Sequence, residues 1–468
     1  MHKTKETSNN TPYTLTQEVK NAFRAYDIRG IYGENLDEEV AERTGKSVGT
    51  MLGPGKTVAV ARDVRLSSDS LRDALVKGIL STGCKVIDFG RVPTPLLYFG
   101  TWYNKLDGGV MITASHLPPE WNGFKISGKT GVLLSDGTGL EVVKDIFFKG
   151  EFAKEEAGEV VYKDVIGDYI DYVSSKTTTN RKFKIIFDFG NSVTSLVVPS
   201  LMKKLGHEVY GINVELDGTF PNRTSEPTEE ALQNLRKRVL DEGADIGIGY
   251  DADGDRVAFV DEKGRISASG NITIPLLAKY FLRGKKGGKI VYDVTCSSSV
   301  GDYIRKLGGE PIIVRVGHSY CATEVLNQKA LFGGQYSGHT AFPDVNCADD
   351  AIFGSLKLIE AMSAYSKRMS ELIEDIPAYF ISKLKEISCD DSTKFDIVER
   401  VKKKAETMPY KLIGIDGVLL QNDSGQVLIR ASNTSPIIRV NAEGKTEEDK
   451  DSFQRLGESL VEEAIHNG

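Results

Sequence analysis

Three aspartates stand at alternate positions in Tyr250-Asp251-Ala252-Asp253-Gly254-Asp255-Arg256. Carboxylates that close on one turn repel one another unless a hard cation sits among them, so the stretch reads as a Mg²⁺ or Ca²⁺ site. An EF-hand is the competing reading. Glu262 falls at the twelfth position from Asp251, but Arg256 occupies the sixth, where that loop needs glycine, and the flanks look like strands. A second stretch runs from Val110 to Ile126. It starts as a short apolar strand and breaks at Pro118-Pro119, which neither extend a ladder nor continue a helix. Ser115 beside His116, with Lys125 further on, offers a nucleophilic oxygen, a polar neighbour and a cation. Taken alone, a Ser-His pair is common and reads better as an ordinary exposed turn.

Three further stretches carry polar side chains in unusual density. In Gly333-Gly334-Gln335-Tyr336-Ser337-Gly338-His339, the residues Gln335, Ser337 and His339 alternate, so in an extended loop they face one way and read adjacent hydroxyls. His318, in Val316-Gly317-His318-Ser319, reads as a neighbour of that loop or as a structural histidine. Arg430-Ala-Ser-Asn-Thr-Ser-Pro436 bridges two predicted strands. Its arginine supplies a planar fork for phosphate, and Ser432, Asn433 and Thr434 add donors, with Arg439 just beyond. Near the start, Phe23-Arg24-Ala25-Tyr26-Asp27-Ile28-Arg29-Gly30 sets Tyr26 and Arg29 before a glycine.

The elements that must position these residues follow a repeat. An apolar strand ending in aspartate, a polar turn, a helix, a glycine and a second strand recur from Thr57, from Phe183 and from Lys289. The strand ends are Asp63, Asp188 and Asp293. Helical crossovers favour parallel pairing, hence α/β sheets covered on both faces. After Pro377 the texture changes to hairpin-linked strands with two helices, an α+β unit. The expected organisation is a flexible tail over 1–17, α/β units over 18–158, 159–265 and 266–377, and the α+β unit over 378–468. Ordered structure is expected to begin near Phe23.

With 468 residues the chain holds several cores, and at a net charge of −7 a broad nucleic-acid or acidic-membrane surface is excluded. Any anionic substrate is met by a local arginine cluster. The first twenty residues lack a signal-peptide core, and no run of about 18 apolar residues occurs, so the expectation is a cytoplasmic protein. Five scattered cysteines without Cys-x-x-Cys spacing read as reduced thiols.

Thr-Ala-Ser-His, Asp-Ala-Asp-Gly-Asp-Arg, Gly-Gly-Gln-Tyr-Ser-Gly-His and Arg-Ala-Ser-Asn-Thr-Ser-Pro occur here in order. In order and spacing the set resembles the α-D-phosphohexomutase superfamily, most closely its phosphomannomutase/phosphoglucomutase branch, from Phe23 onward. The resemblance implies three similar α/β domains and a C-terminal α+β, TATA-binding-protein-like domain around a central cleft. It implies a phosphorylated Ser115, and Mg²⁺ held by Asp251, Asp253, Asp255 and the phosphoryl group on Ser115. Lys125 and His116 would assist proton transfer, with Arg29, Arg256 and His318 beside the reacting phosphate. Tyr26, Gln335, Ser337 and His339 would meet the sugar, while Arg430, Ser432, Asn433, Thr434 and Arg439 would hold its distal phosphate. The implied reaction interconverts hexose 1- and 6-phosphates through a hexose 1,6-bisphosphate, in a monomer or homodimer. The chain departs from the family pattern at Leu117 (usually asparagine), Gln335 (usually glutamate) and Thr295 (often lysine). A phosphosugar phosphatase and a turnover-deficient sugar-phosphate binder are the alternatives these departures leave open.

Overall fold

The computed structural model describes residues 17–432 and 436–466. The expected tail lies outside the described residues except for Gln17, and so do Asn433 and Thr434. Ordered structure begins before Phe23, at the helix Gln17–Ala22, because Val19 and Ala22 join Phe23, Ile28 and Phe147 in one core.

Each of the first three units is built around the strand that ends in the repeated aspartate. Thr57–Arg62 pairs in parallel with Lys85–Arg91 on one side and Gly108–Ile112 on the other. Lys184–Asp188 lies in the same way between Glu208–Ile212 and Ile246–Tyr250, and Lys289–Asp293 between Glu310–Val314 and Phe332–Gly334. The sheets are mixed rather than wholly parallel, which corrects the expectation. Gly108–Ile112, Ile246–Tyr250 and Phe332–Gly334 are each followed by an antiparallel strand: Trp121–Gly128, Val257–Asp261 and Thr340–Ala341. The loops between these pairs are too short for a crossover helix and can only reverse the chain. They are also the loops that carry Ser115, the three aspartates and Gln335-to-His339, so the three stretches occupy one equivalent position in three copies of the same unit. Val160–Tyr162 pairs with Lys85–Arg91 and closes the edge of the first sheet.

The helix of the second repeat is split into a 3₁₀ turn, Val193–Leu196, and Val198–Lys204, with Pro199 in the new first turn, where its missing N–H costs nothing. The helix that opens the third unit runs from Gly270 to Phe281 with Pro275 inside it.

The fourth unit is an antiparallel sheet centred on Gly425–Ala431 and Ile437–Gly444, with Lys394–Ala405 and Glu447–His466 packed on it. Its first two strands, Phe380–Ile381 and Lys385–Ser388, share one partner, Ile437–Gly444. The register slips by a residue between them, where the Ser382 hydroxyl accepts the Ala442 N–H. Thr446 caps the last helix by accepting the Asp449 N–H at 3.1 Å.

One continuous core runs through the first three units, joining Met111, Phe187, Tyr250, Ile274, Phe332 and Phe353, while the fourth keeps its own around Val401, Ile429 and Leu460. All five cysteines are free, and no helix among the described residues is long and apolar enough to cross a membrane.

Candidate active site

Ser115 opens the turn that follows Gly108–Ile112, and it is buried with φ 53°, a left-handed conformation that costs a non-glycine residue about 1–2 kcal/mol. Its hydroxyl donates to Asp251 Oδ2 at 2.9 Å, across the boundary from the first unit to the second. His116 Nδ1 lies 3.5 Å from the same hydroxyl. Burial, then the charges of Arg256 and Arg29, hold His116 far below the ordinary imidazole range, so the ring is neutral.

The acidic loop is the tip of a hairpin between Ile246–Tyr250 and Val257–Asp261, turned by Gly254 at φ 76°. Asp251 Oδ1 accepts the N–H groups of Gly254 and Arg256 at 3.0 and 3.1 Å, which curls the loop inward. All three carboxylates are fully buried and offer oxygens within 4.8 Å of one another. Lys125, from the antiparallel strand of the first unit, reaches Asp253 Oδ2 at 2.7 Å and also pairs with Asp255. Thr94 adds a hydroxyl to Asp253 at 2.6 Å. Burial alone would lower the Lys125 pKa, but the two aspartates outweigh it, and the amine stays protonated. Burial and repulsion from Asp255 and Asp253 push the Asp251 carboxyl well up. One lysine does not neutralise three buried acids, and Oδ1 of Asp253 and Oδ1 of Asp255 have no hydrogen-bond partner. An all-oxygen donor set of this kind suits Mg²⁺.

The third unit closes over this centre. His339 Nε2 stands 3.3 Å from Asp255 Oδ1, its Nδ1 pairs with Ser337 Oγ at 2.8 Å, and its ring stacks on His318. His318 begins the helix His318–Gln328 rather than lying in a loop; its Nδ1 is 2.8 Å from Asp349 Oδ2, and its ring meets Tyr26 edge-on at 5.2 Å. The loop is not extended as expected. Gly338, at φ 92°, folds it into a tight turn in which Gln335 N donates to His339 O at 3.0 Å. Ser337 and His339 therefore pair with each other, and Gln335 is buried with an unpartnered Nε2.

Arg29 pairs with Asp27 at 2.6 Å and points a second nitrogen toward Ala114 O at 3.5 Å, just before Ser115. Arg256 is steered by Glu226 at 2.9 Å. Burial, then the charge of Asp27, raises the Tyr26 pKa against the opposite pull of Arg29, Arg256 and Arg430. In the fourth unit Arg430 and Arg439 are directly opposite each other on neighbouring strands, a like-charge pair that favours an anion between them. Arg430 pairs with Asp416 at 2.9 Å and Arg439 with Glu386 at 3.2 Å. Both arginines line a cavity of about 340 Å³ with Thr295 and Tyr336. Ser432, whose N–H donates to Ile437 O at 2.9 Å, is buried beside it. This group does not touch Ser115; its link to the centre is Asp416, which also accepts the Val316 N–H at 3.0 Å, two residues before His318.

Sequence reading missed Asp63, Arg65, Thr94, Glu226, Asp349 and Asp416. Only Asp63 left a signal, as the first of the three strand-end aspartates.

Comparison with known proteins places nearly the whole chain in one family. Four profiles match in order: "Phosphoglucomutase/phosphomannomutase, alpha/beta/alpha" domains I, II and III over residues 20–154, 167–264 and 269–380, and the C-terminal domain over 384–455. The chain belongs to the phosphoglucomutase/phosphomannomutase family. A "Phosphoglucomutase/phosphomannomutase" of Thermococcus kodakarensis is 36% identical over 459 residues, covering 95% of this chain and 99% of that one. A "Probable phosphoglucosamine mutase" of Thermococcus gammatolerans is 36% identical over 448 residues, covering 95% and 98%. The crystal structure of a phosphoglucomutase/phosphomannomutase family protein from Burkholderia thailandensis superposes with a TM-score of 0.88 at 28% identity, over 95% of this chain and 98% of that one. Within the family this chain is a phosphohexomutase relative of isomerase type with the four-domain fold. Its departure at Leu117 is accommodated by the backbone: the Leu117 carbonyl accepts from Arg65 at 2.6 Å and from Ser225 at 3.0 Å.

Proposed function

We propose that the protein interconverts hexose 1-phosphates and hexose 6-phosphates, with glucose and mannose as the sugars, through a phosphoserine at Ser115. In the first half-reaction the bond between phosphorus and Ser115 Oγ breaks as a bond from phosphorus to a sugar hydroxyl oxygen forms. The hydroxyl proton passes to the neutral His116 ring and from there to Ser115 Oγ, which leaves a hexose 1,6-bisphosphate. The bisphosphate turns over within the cleft, and the same steps run backwards on the other phosphate. Asp251, Asp253 and Asp255 would hold Mg²⁺, which supplies charge neutralisation for the transferring phosphoryl group. Lys125, Arg29 and Arg256 add fixed positive charge, and such transfer asks for positioning and neutralisation above all. His339, Ser337 and Gln335 face the sugar, while Arg430, Ser432 and Arg439, with Asn433 and Thr434, take the distal phosphate.

The observation that carries this reading is the 2.9 Å contact of Ser115 with Asp251, which sets a buried hydroxyl against a cation-binding cluster. Intact-mass measurement after incubation with glucose 1,6-bisphosphate should show one added phosphate, absent in Ser115→Ala. Coupled assays on glucose, mannose and glucosamine 1-phosphates should find turnover with the first two at rates at least about 10³-fold above Ser115→Ala. Release of free phosphate in place of hexose 6-phosphate would sink the mutase reading, and faster turnover of glucosamine 1-phosphate would move the sugar preference.

A further inference from the structure

Something must hold Ser115 in its left-handed conformation, and the holding group lies outside the cleft. The Ser115 N–H donates to Thr113 Oγ1 at 2.8 Å, and that hydroxyl donates to Asp63 Oδ2 at 2.7 Å. Asp63 ends the first strand of the first repeat; its other oxygen takes the Arg65 N–H and the Ser68 hydroxyl. The Arg65 guanidinium then grips the whole turn. Its Nε donates to Asp63 at 3.1 Å, one terminal nitrogen donates to the carbonyls of Pro118 and Trp121 at 2.5 and 2.8 Å, and the other to those of Ser115 and Leu117 at 2.8 and 2.6 Å. A guanidinium has five N–H donors, and all five are spent here, so Arg65 has none left for a substrate. Its side chain is fully buried, with the Phe220 ring of the second unit against it at 5.1 Å.

The other two repeats use their strand-end aspartates in the same way. Asp188 takes the Gly190 N–H and lies 3.0 Å from Arg223 Nε, and Arg223 donates to Tyr250 O at 2.5 Å, one residue before Asp251. Asp293 takes the Thr295 N–H and, through Oδ2, the Tyr336 N–H at 2.9 Å, inside the Gln335–His339 turn. In each unit the aspartate fastens the loop that leaves the neighbouring strand.

We propose that Asp63, Arg65 and Thr113 form a positioning unit that sets the left-handed Ser115 backbone and so aims its oxygen at Asp251. The proposal rests on the reading that Ser115 carries the phosphoryl group. It is tested by steady-state kinetics on glucose 1-phosphate with glucose 1,6-bisphosphate, alongside melting temperatures, for Thr113→Val, Thr113→Ser and Arg65→Lys. Valine keeps the shape of threonine and removes both hydroxyl bonds. Misplacing a reacting oxygen by about 1 Å costs up to roughly a hundredfold, so Thr113→Val should lose about ten- to a hundredfold in kcat with KM within about twofold. Thr113→Ser should recover most of that loss, and Arg65→Lys should lose at least as much kcat as Thr113→Val. Should Arg65→Lys fail to fold, the threonine pair decides alone. A Thr113→Val enzyme with wild-type kcat, or a loss that Thr113→Ser does not recover, overturns the positioning role. Wild-type protein without hexose phosphate conversion overturns the underlying mutase reading instead, so the two failures are distinct.

Discussion

Lys125 and Asp350 show how burial sets charge in this molecule in opposite senses. Lys125 remains an ammonium because Asp253 and Asp255 flank it, so replacing it leaves two buried acids without their cation. Lys125→Met should cut kcat by about 10²–10⁴-fold, a cost typical of removing a proton-transfer or charge-stabilising group, measurable in the coupled assay. Asp350 has no such partner. It accepts the Phe353 N–H at 2.8 Å and two bonds from the Tyr169 hydroxyl at 3.0 Å, yet burial pushes its pKa from 3.8 to about 7. The folded state therefore favours the neutral acid. The stability it contributes is full below pH 3.8 and is lost as the pH rises to about 7. Asp350→Asn should flatten the fall in melting temperature across that window; an unchanged slope would refute the assignment.

Among the elements, the helix Ser298–Lys306 of the third unit is met at its N-terminus by Glu443 of the fourth, which accepts the Ser298 N–H at 2.6 Å. A carboxylate at that end is favoured by the helix dipole and by the unpaired N–H groups. Glu443→Gln should cost about 1 kcal/mol, read as a lower denaturant midpoint. What was legible in the sequence divides along the same line between local and distant. The strand–helix–strand repeat and the acidic hairpin tip declare themselves through periodicity and like-charge crowding. The turn at Gln335 does not, because alternation suggests an extended loop and only the folded backbone shows Gly338 reversing it. Arg65 was invisible for a different reason: its four carbonyl partners lie 50 to 56 residues away, and backbone acceptors carry no residue signature.

At the scale of the whole molecule, the centre is a junction. The first unit supplies Ser115 and Lys125, the second the carboxylates, and the third His339, so a cation bound there ties together units that already share a core. Mg²⁺ should raise the melting temperature, and Asp251→Asn should abolish the response, as differential scanning fluorimetry would show. The fourth unit stands apart. Among the described residues it meets the third through Glu443 at Ser298, through the Asp416 bond to Val316, through Gln426 to the Cys296 carbonyl at 3.4 Å and Tyr379 to Asp302 at 2.9 Å, and through a small apolar contact of Val294 with Leu419 and Leu428. A unit with its own core, joined to the others by hydrogen bonds and one small apolar contact, should open at lower denaturant than the shared core, visible as faster amide exchange in Val418–Gln421 than in Ile246–Tyr250.

The grip on the Leu117 carbonyl has a practical consequence for engineering. Arg65 and Ser225 hold that residue by its backbone, and Leu117 lines a cavity of about 580 Å³ with Tyr26, Arg29, His116 and Trp121. A library randomised at position 117 can therefore resculpt the wall beside the serine with the turn itself still fastened, whereas one randomised at Arg65 would mostly sample loosened turns.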